Sequence, residues 1–483
     1  MKDITYDVRV YKTEIYKGKR ATTYYVRWKA GGEQCRKPFH NAAQADTYRG
    51  EIQAAARKGE AFSTLTGEPV SWNRAERPEM GWYTFLCKFV DMKWKAASAK
   101  YRQDIARALV AATPAMLASD RGKPDDLVLR TAMRRWGFNT KQRDEAPGDM
   151  ADALAWLEAN TKPVSALADD PGLVRAMLDL ATSRLDGKRA ATSTVLRNKT
   201  ILQNALDHAM ELKLLQENPI RGIKWKAPKS THEVDRRSVV NHTQARALLA
   251  AVEAQKPSGR RLVAFFALMY YAGLRPEEAV RLRTHNIALP PLVLNEESGQ
   301  WEEPVGEWGE VRLDKAAPFA GREWTDDGAL REERPLKHRA NGEVRPVPIP
   351  PALVRILRAH LAEPYGKGPN GRLFSGVRGE ELPNITYRRV WAKARQDALT
   401  PEEAASPLAR RVYDLRHACV STWLNAGVAP TQVAEWAGHS VEVLLRIYAK
   451  CIVGQDEAAK RRIAEALGED VERSKAGSDL KPR

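Results

Sequence analysis

Apolar positions along the chain change period three times. From Asp7 to Phe39 they recur every second residue: Asp7–Tyr16, Thr22–Lys29 and Glu33–Phe39 read as three short strands, turning at Lys17-Gly-Lys-Arg20 and Gly31-Gly32. Asn41 is placed to cap a helix from about Ala42 to Lys58. From Gly81 to Ile223 the period is helical, most clearly over Thr192–Leu214, where Val195, Ile201, Leu202, Ala205, Leu206 and Met210 form one stripe ended by Asn218-Pro219. A basic, Pro-containing stretch (225–238) follows. Helices are then predicted at Thr243–Ala254, Arg261–Ala272 (apolar nearly all round, hence buried), Ala352–Leu361, Ile385–Ala398, His417–Asn425, Pro430–Ala437, Val441–Tyr448 and Glu457–Leu467. Asn341-Gly342 predicts a hairpin between Arg334–Arg339 and Glu343–Ile349.

The expected fold class is multidomain, mainly α with small β-sheets. A three-stranded sheet with one helix occupies 1–65, a helical domain 78–224, a linker 225–238, a mixed α+β domain 239–470 and a polar tail 471–483. At 483 residues the chain is too long for one core. Residues 290–335 hold 12 Asp/Glu against 5 Lys/Arg and are expected to form an acidic insertion on the outer side of the last domain.

Charge narrows the partner. The formal net charge is +17, which favours a polyanion, and nucleic acid first. Residues 1–65 carry 13 Lys/Arg against 7 Asp/Glu, with Lys19, Arg20 and Arg27 as candidate DNA contacts. Lys188, Arg189, Arg197 and Lys199, near the long helix, are candidate phosphate contacts. The four cysteines lack metal-site spacing, so no zinc site or disulfide framework is expected and a reducing cytoplasm is the expected compartment. No apolar run is long enough to span a bilayer, so no membrane association is expected.

The candidate chemistry lies in the last third. Arg275, Lys337, Arg416, His439 and Tyr448 occur in that order, within Tyr271-Ala-Gly-Leu-Arg-Pro-Glu-Glu278, Tyr413-Asp-Leu-Arg-His417, Gly438-His439 and Ile447-Tyr448. Phosphodiester cleavage develops charge on phosphate oxygens, which arginine forks match bidentately. A tyrosine then supplies a metal-free nucleophile, and flanking cations are expected to ease formation of its phenolate. Glu278, three residues after Arg275, is placed to hold its guanidinium. His417 is placed to brace the site. Singly, each of these is more often an ordinary cap, hairpin or core residue; their joint order and spacing is what selects the chemistry.

This pattern resembles the catalytic domain of tyrosine recombinases, the phage integrase family. Ala272-Gly-Leu-Arg-Pro-Glu-Glu278 resembles its first box. Asp414-Leu-Arg-His417, Leu424-Asn-Ala-Gly-Val428, Gly438-His-Ser440 and Ile447-Tyr448 resemble its second. The helical domain resembles the family's core-binding domain, and the first 65 residues resemble its arm-type DNA-binding module. The resemblance implies a site-specific recombinase acting on double-stranded attachment sites as a homotetramer, through a 3′-phosphotyrosyl intermediate on Tyr448 and a Holliday junction. It also implies a phosphate held by Arg275, Arg416 and His439, Lys337 as general acid, Glu278 in support, no metal or cofactor, and a directionality factor as a candidate further partner. Type IB topoisomerase-like relaxation and a non-catalytic DNA-binding regulator are the alternatives. Where the family usually carries histidine, three residues before the second arginine, this chain has Tyr413.

Overall fold

The computed structural model describes residues 4–18, 21–75, 79–184, 188, 190–225, 233–337, 339, 342–451 and 456–467. The chain is mainly α-helical with small sheets and divides into two compact units, one of residues 1–93 and 105–227, the other of 94–104 and 228–483. Among the described residues no helix is long and apolar enough to cross a membrane.

In the first unit, Thr22–Ala30 is the central strand of an antiparallel sheet. Glu33–Phe39 pairs along one edge. The other edge is a broken strand: Val8–Val10 pairs with Trp28–Ala30, and Glu14–Lys17 with Thr22–Tyr25. The single strand expected over Asp7–Tyr16 is therefore interrupted, because one extra residue between the two pairings makes a bulge. Val26, Trp28 and Ala30 are buried with Ala45 and Ile52 of the Ala42–Arg57 helix, whose cap is the Asn41 side chain, accepting from the Ala43 N–H at 2.8 Å. The helical part builds its core from Trp82, Phe85 and Phe89 of Trp82–Trp94, from Met177 and Leu178 of Pro171–Thr182, and from the predicted stripe of Thr192–Glu211.

The second unit is centred on the Gly259–Tyr271 helix, buried along most of its length as its all-round apolar sequence requires. Beside it lies a three-stranded antiparallel sheet ordered Arg345–Ile349, Gly309–Leu313, Ile287–Ala288. Two expectations are corrected here. The acidic stretch 290–335 is not wholly an outer insertion. Its Gly309–Leu313 segment is the middle strand, with Val311 and Leu313 buried between outward Glu310 and Arg312, a period-two pattern masked by the acidic composition. The Asn341-Gly342 dipeptide also does not join two paired arms. Arg334–Pro335 pairs with Lys315–Ala316, and Arg345–Ile349 with Gly309–Leu313. The two registers differ by eight residues, so the described residues between Pro335 and Arg345 lie off the ladder of a long ribbon; His338, Ala340 and Asn341 lie outside the described residues. Non-local strand pairing outweighs the local turn signal.

What remains of the acidic stretch includes an exposed hairpin, Val293–Leu294 against Trp301–Glu302. It also includes a segment gripping residues 94–104 of the same unit. Arg102, 4% exposed, donates to the Trp94 and Trp324 carbonyls and in a fork to Asp326 at 2.8 and 3.0 Å. The unit also holds helices His242–Glu253, Pro351–Ala362, Asn384–Ala398, Asp414–Asn425, Pro430–Ala437, Val441–Tyr448 and Asp456–Ala466. The linker's last residues are not free chain: Val234 is buried against Leu444 and Tyr448, and its N–H donates to the Ile447 carbonyl at 3.0 Å.

Candidate active site

Gly273, at φ +62°, turns the chain out of the Gly259–Tyr271 helix, and Pro276 opens the next one. Arg275 is its N-cap residue. Glu278, 2% exposed, accepts from the Arg275 N–H at 2.9 Å and from its Nη1 at 2.7 Å. Glu278 also takes a fork from Arg345, which is 1% exposed, at 3.1 and 2.8 Å. One carboxylate thus serves two guanidinium groups. Burial alone would raise its pKa, but Arg345 and Arg275, with Arg416 beyond, hold it well below the usual carboxylate range. Burial lowers the Arg345 pKa while Glu278 opposes the shift.

The remaining groups converge on the turn after Pro430–Ala437. Gly438 is left-handed at φ +63°, and a Cβ there would sit 2.1 Å from Arg345 Nη1. Its carbonyl accepts from Arg275 Nη2 at 2.8 Å. Arg416, fully buried in the Asp414–Asn425 helix, donates to the Gly273 and Ala437 carbonyls. Its Nη2 also meets His439 Nε2 at 3.0 Å. Guanidinium nitrogens only donate, so Nε2 accepts and the neutral His439 ring carries its proton on Nδ1. That Nδ1, with Arg416 Nε and Arg345 Nε, is buried without a hydrogen-bond partner among the described residues. Burial first, then Arg416, Arg275 and Arg345, push the His439 pKa down to about 3.

Ser440 caps the Val441–Tyr448 helix, accepting from Val443 N–H at 3.2 Å, and Tyr448 ends it. The Tyr448 ring is stacked 6.2 Å from His439, and its hydroxyl lies 2.9 Å from His417 Nδ1. Tyr448 is 0% exposed, yet it lines a cavity of about 610 Å³ together with His417, His439, Tyr413, Arg410, Arg411 and the Glu233–Asp235 segment. The expected easing of the phenolate by cations is corrected: burial raises the Tyr448 pKa and outweighs the opposing charge of Arg416. Burial, then Arg411 and Arg416, lower the His417 pKa to about 4. Tyr413 precedes the Asp414–Asn425 helix, its ring 5.1 Å from that of His417.

The structure therefore brings Arg275, Glu278, Arg416, His439, His417, Tyr413 and Tyr448 together and leaves Lys337 apart. Lys337 is exposed off the ribbon's ladder, between Pro335 and Arg345, and among the described residues no hydrogen bond or ion pair joins it to the cluster. Arg345, not among the site residues expected from the sequence, proves to be part of the cluster. The signal was its position on the inward face of an alternating strand, with Val347 and Ile349. An arginine there requires a buried carboxylate.

The candidate DNA contacts are dispersed. Arg27 is exposed on the sheet face opposite the helix and pairs with Glu14 at 3.0 Å. That face also presents Arg9 across from Lys29, and Arg36 across from Arg27; like charges set opposite each other fit a polyanion better than solvent. Sequence reading missed Arg9, Lys29 and Arg36, although the period-two alternation marks them. Lys188 and Arg197 are exposed, and Lys199 lies over the Trp225 ring at 4.7 Å. Lys19, Arg20 and Arg189 lie outside the described residues.

No family model matches the chain. It is 27% identical over 126 residues to an integrase of Mycobacterium phage FRAT1, covering 26% of this chain and 36% of that one. It is 25% identical over 317 residues to the tyrosine recombinase XerD of Pseudomonas aeruginosa, covering 65% and 87%. The chain thus spans about a third of the phage integrase's length. Among solved structures it is similar to the XerH site-specific recombinase bound to difH substrate, with a TM-score of 0.45 and 11% identity over 79% of this chain and 94% of that one. In its two motif boxes and over these stretches the chain is similar to tyrosine recombinases and phage integrases.

Proposed function

We propose that this chain is a site-specific DNA recombinase that cuts and rejoins double-stranded attachment sites through a 3′-phosphotyrosyl intermediate. Tyr448 is the nucleophile. Arg275, Arg416 and His439 hold the scissile phosphate, Glu278 supports Arg275, and Lys337 protonates the leaving 5′ oxygen once its segment is brought to the DNA. One observation carries the reading: Arg275 and Arg416, far apart in sequence, both bond to the Ala437–His439 turn, beside the Tyr448 ring.

The cluster suits a phosphate. Three guanidinium groups face one carboxylate, so the site keeps a cationic surplus, and the unpaired Arg416 Nε and His439 Nδ1 are donors a phosphate oxygen would satisfy. The covalent link conserves the energy of the broken phosphodiester, so rejoining needs no metal or nucleotide in this scheme. Strand exchange is assigned to a homotetramer passing through a Holliday junction, with a directionality factor as further partner and the bacterial cytoplasm as its place of action. The domain roles follow: residues 1–65 as the arm-type module, 78–224 as the core-binding domain, 239–470 as the catalytic domain.

The test is covalent capture. Nicked suicide duplexes with a randomised central segment are incubated with the chain and resolved under denaturing conditions. The expected result is a protein–DNA adduct that Tyr448→Phe abolishes. An adduct that persists in Tyr448→Phe, or its absence from every duplex with the unaltered chain, overturns the reading.

A further inference from the structure

Taking Tyr448 as nucleophile leaves the fate of its proton open, and the geometry around its hydroxyl answers it. Among the described residues the one hydrogen bond of that hydroxyl is shared with His417 Nδ1, at 2.9 Å, and a ring protonated on Nε2 accepts the Tyr448 O–H there, with the two rings 5.6 Å apart. The other two ring groups at hand are poorly placed to take the proton. His439 already spends its Nε2 lone pair on Arg416, so it has only an N–H to offer. Tyr413, where the motif usually has histidine, is a phenol and a poor proton acceptor near neutrality. His417 is in the first turn of the Asp414–Asn425 helix, its ring beside that of Tyr413. The charged groups around it are Arg411, Arg416 and Asp414 of its own segment; Glu233 and Asp235 face the same cavity from the strap across it, and His439 faces it from the opposite turn.

We infer that His417 is a catalytic residue, the base that takes the Tyr448 proton. As the Tyr448 oxygen bonds to phosphorus, its proton passes to His417 Nδ1; the bond from phosphorus to the 5′ oxygen breaks, and that oxygen takes a proton from the general acid. On rejoining, the 5′ hydroxyl attacks phosphorus, its proton returns to the acid, and Tyr448 leaves with the proton His417 held. The imidazole is suited to this cycle because burial, then Arg411 and Arg416, keep it neutral at rest, so its lone pair is available. The incoming phosphodiester brings a negative charge near the ring, which raises its basicity when it is needed. His417 thereby supplies the base from one residue after Arg416, beside the phenol of Tyr413.

The inference rests on the proposed function, and the test separates the two. Single-turnover cleavage of the same nicked, randomised duplexes is measured for the unaltered chain, Tyr448→Phe, His417→Ala and His417→Asn, with duplex binding and thermal melting followed in parallel. His417→Ala is expected to cleave about 10²–10⁴-fold more slowly with binding retained. Added imidazole is expected to accelerate His417→Ala and not the unaltered chain. His417→Asn keeps an acceptor near Nδ1 but cannot hold a proton, and stays slow. Cleavage by His417→Ala within about threefold of the unaltered rate overturns the inference. So does failure of imidazole to accelerate it, or recovery of the full rate in His417→Asn, which would reduce His417 to positioning. Loss of the adduct from the unaltered chain would instead remove the proposed function itself.

Discussion

Replacing Glu278 by glutamine tests the cluster at its single anionic point. The carboxylate accepts four hydrogen bonds, two from Arg345 (3.1 and 2.8 Å) and two from Arg275 (2.7 and 2.9 Å). Glutamine keeps one acceptor oxygen and turns the other into an NH₂ facing a guanidinium that donates. Arg345, 1% exposed, is then a buried charge without a counterion. Breaking a buried pair from one side costs about 3–5 kcal/mol. For a unit of some 250 residues each kcal/mol lowers the melting temperature by about 2–4 °C, so Glu278→Gln should melt roughly 10 °C below the unaltered chain. Calorimetry on the full chain reads this in the transition of the second unit. Glu278→Gln combined with Arg345→Met removes the stranded charge too and should melt above the single variant. A single variant melting within about 2 °C of the unaltered chain, or a double variant less stable than the single one, would refute the account of Glu278 as the shared counterion.

Two further outcomes are expected. Gly438→Ala forces an L-residue into the left-handed region, costing about 1–2 kcal/mol before the clash with Arg345 Nη1, and should lower both the melting temperature and adduct yield; unchanged values of both would show that the turn does not need its glycine. Acid should weaken the second unit through His417 and His439, whose folded pKa values (about 4 and about 3) lie below the ordinary 6.5. The unfolded chain binds those protons first, so stability is fully present above about pH 6.5 and falls by roughly 1 kcal/mol per unit per histidine as pH drops toward 4; urea midpoints at pH 7.5 and 5 should differ less in His417→Asn, and an equal difference would count against it.

Much of this was legible in the chain because it is local. The Pro430–Ala437 and Val441–Tyr448 helices were read to the residue, since apolar spacing, a proline start and a glycine stop agree there. The Glu278–Arg275 contact followed from three-residue spacing at a helix start. What sequence could not provide is pairing at a distance. The ribbon from Gly309 to Ile349 is joined across its acidic excursion, so Asn341-Gly342 misled and Lys337 was placed on an arm it does not occupy. Nor does spacing reveal burial: Tyr448 looked like a phenol eased by cations, whereas it sits in a buried cluster with Val420, Val433 and Leu444, and burial raises its pKa. Arg345 shows the converse. A charged residue on the inward face of an alternating strand announces a buried partner, and Glu278 was available by its place in the motif.

Val234 lies across the helix that carries Tyr448 and is bonded to the carbonyl just before it. Tyr448 has none of its surface open to solvent, so for the proposed nucleophile to meet a phosphorus atom this segment or the helix beneath it has to shift. Under the function proposed above, the resting chain is therefore a sheathed blade: a duplex that merely brushes past finds no edge, and cutting waits until the sheath is drawn.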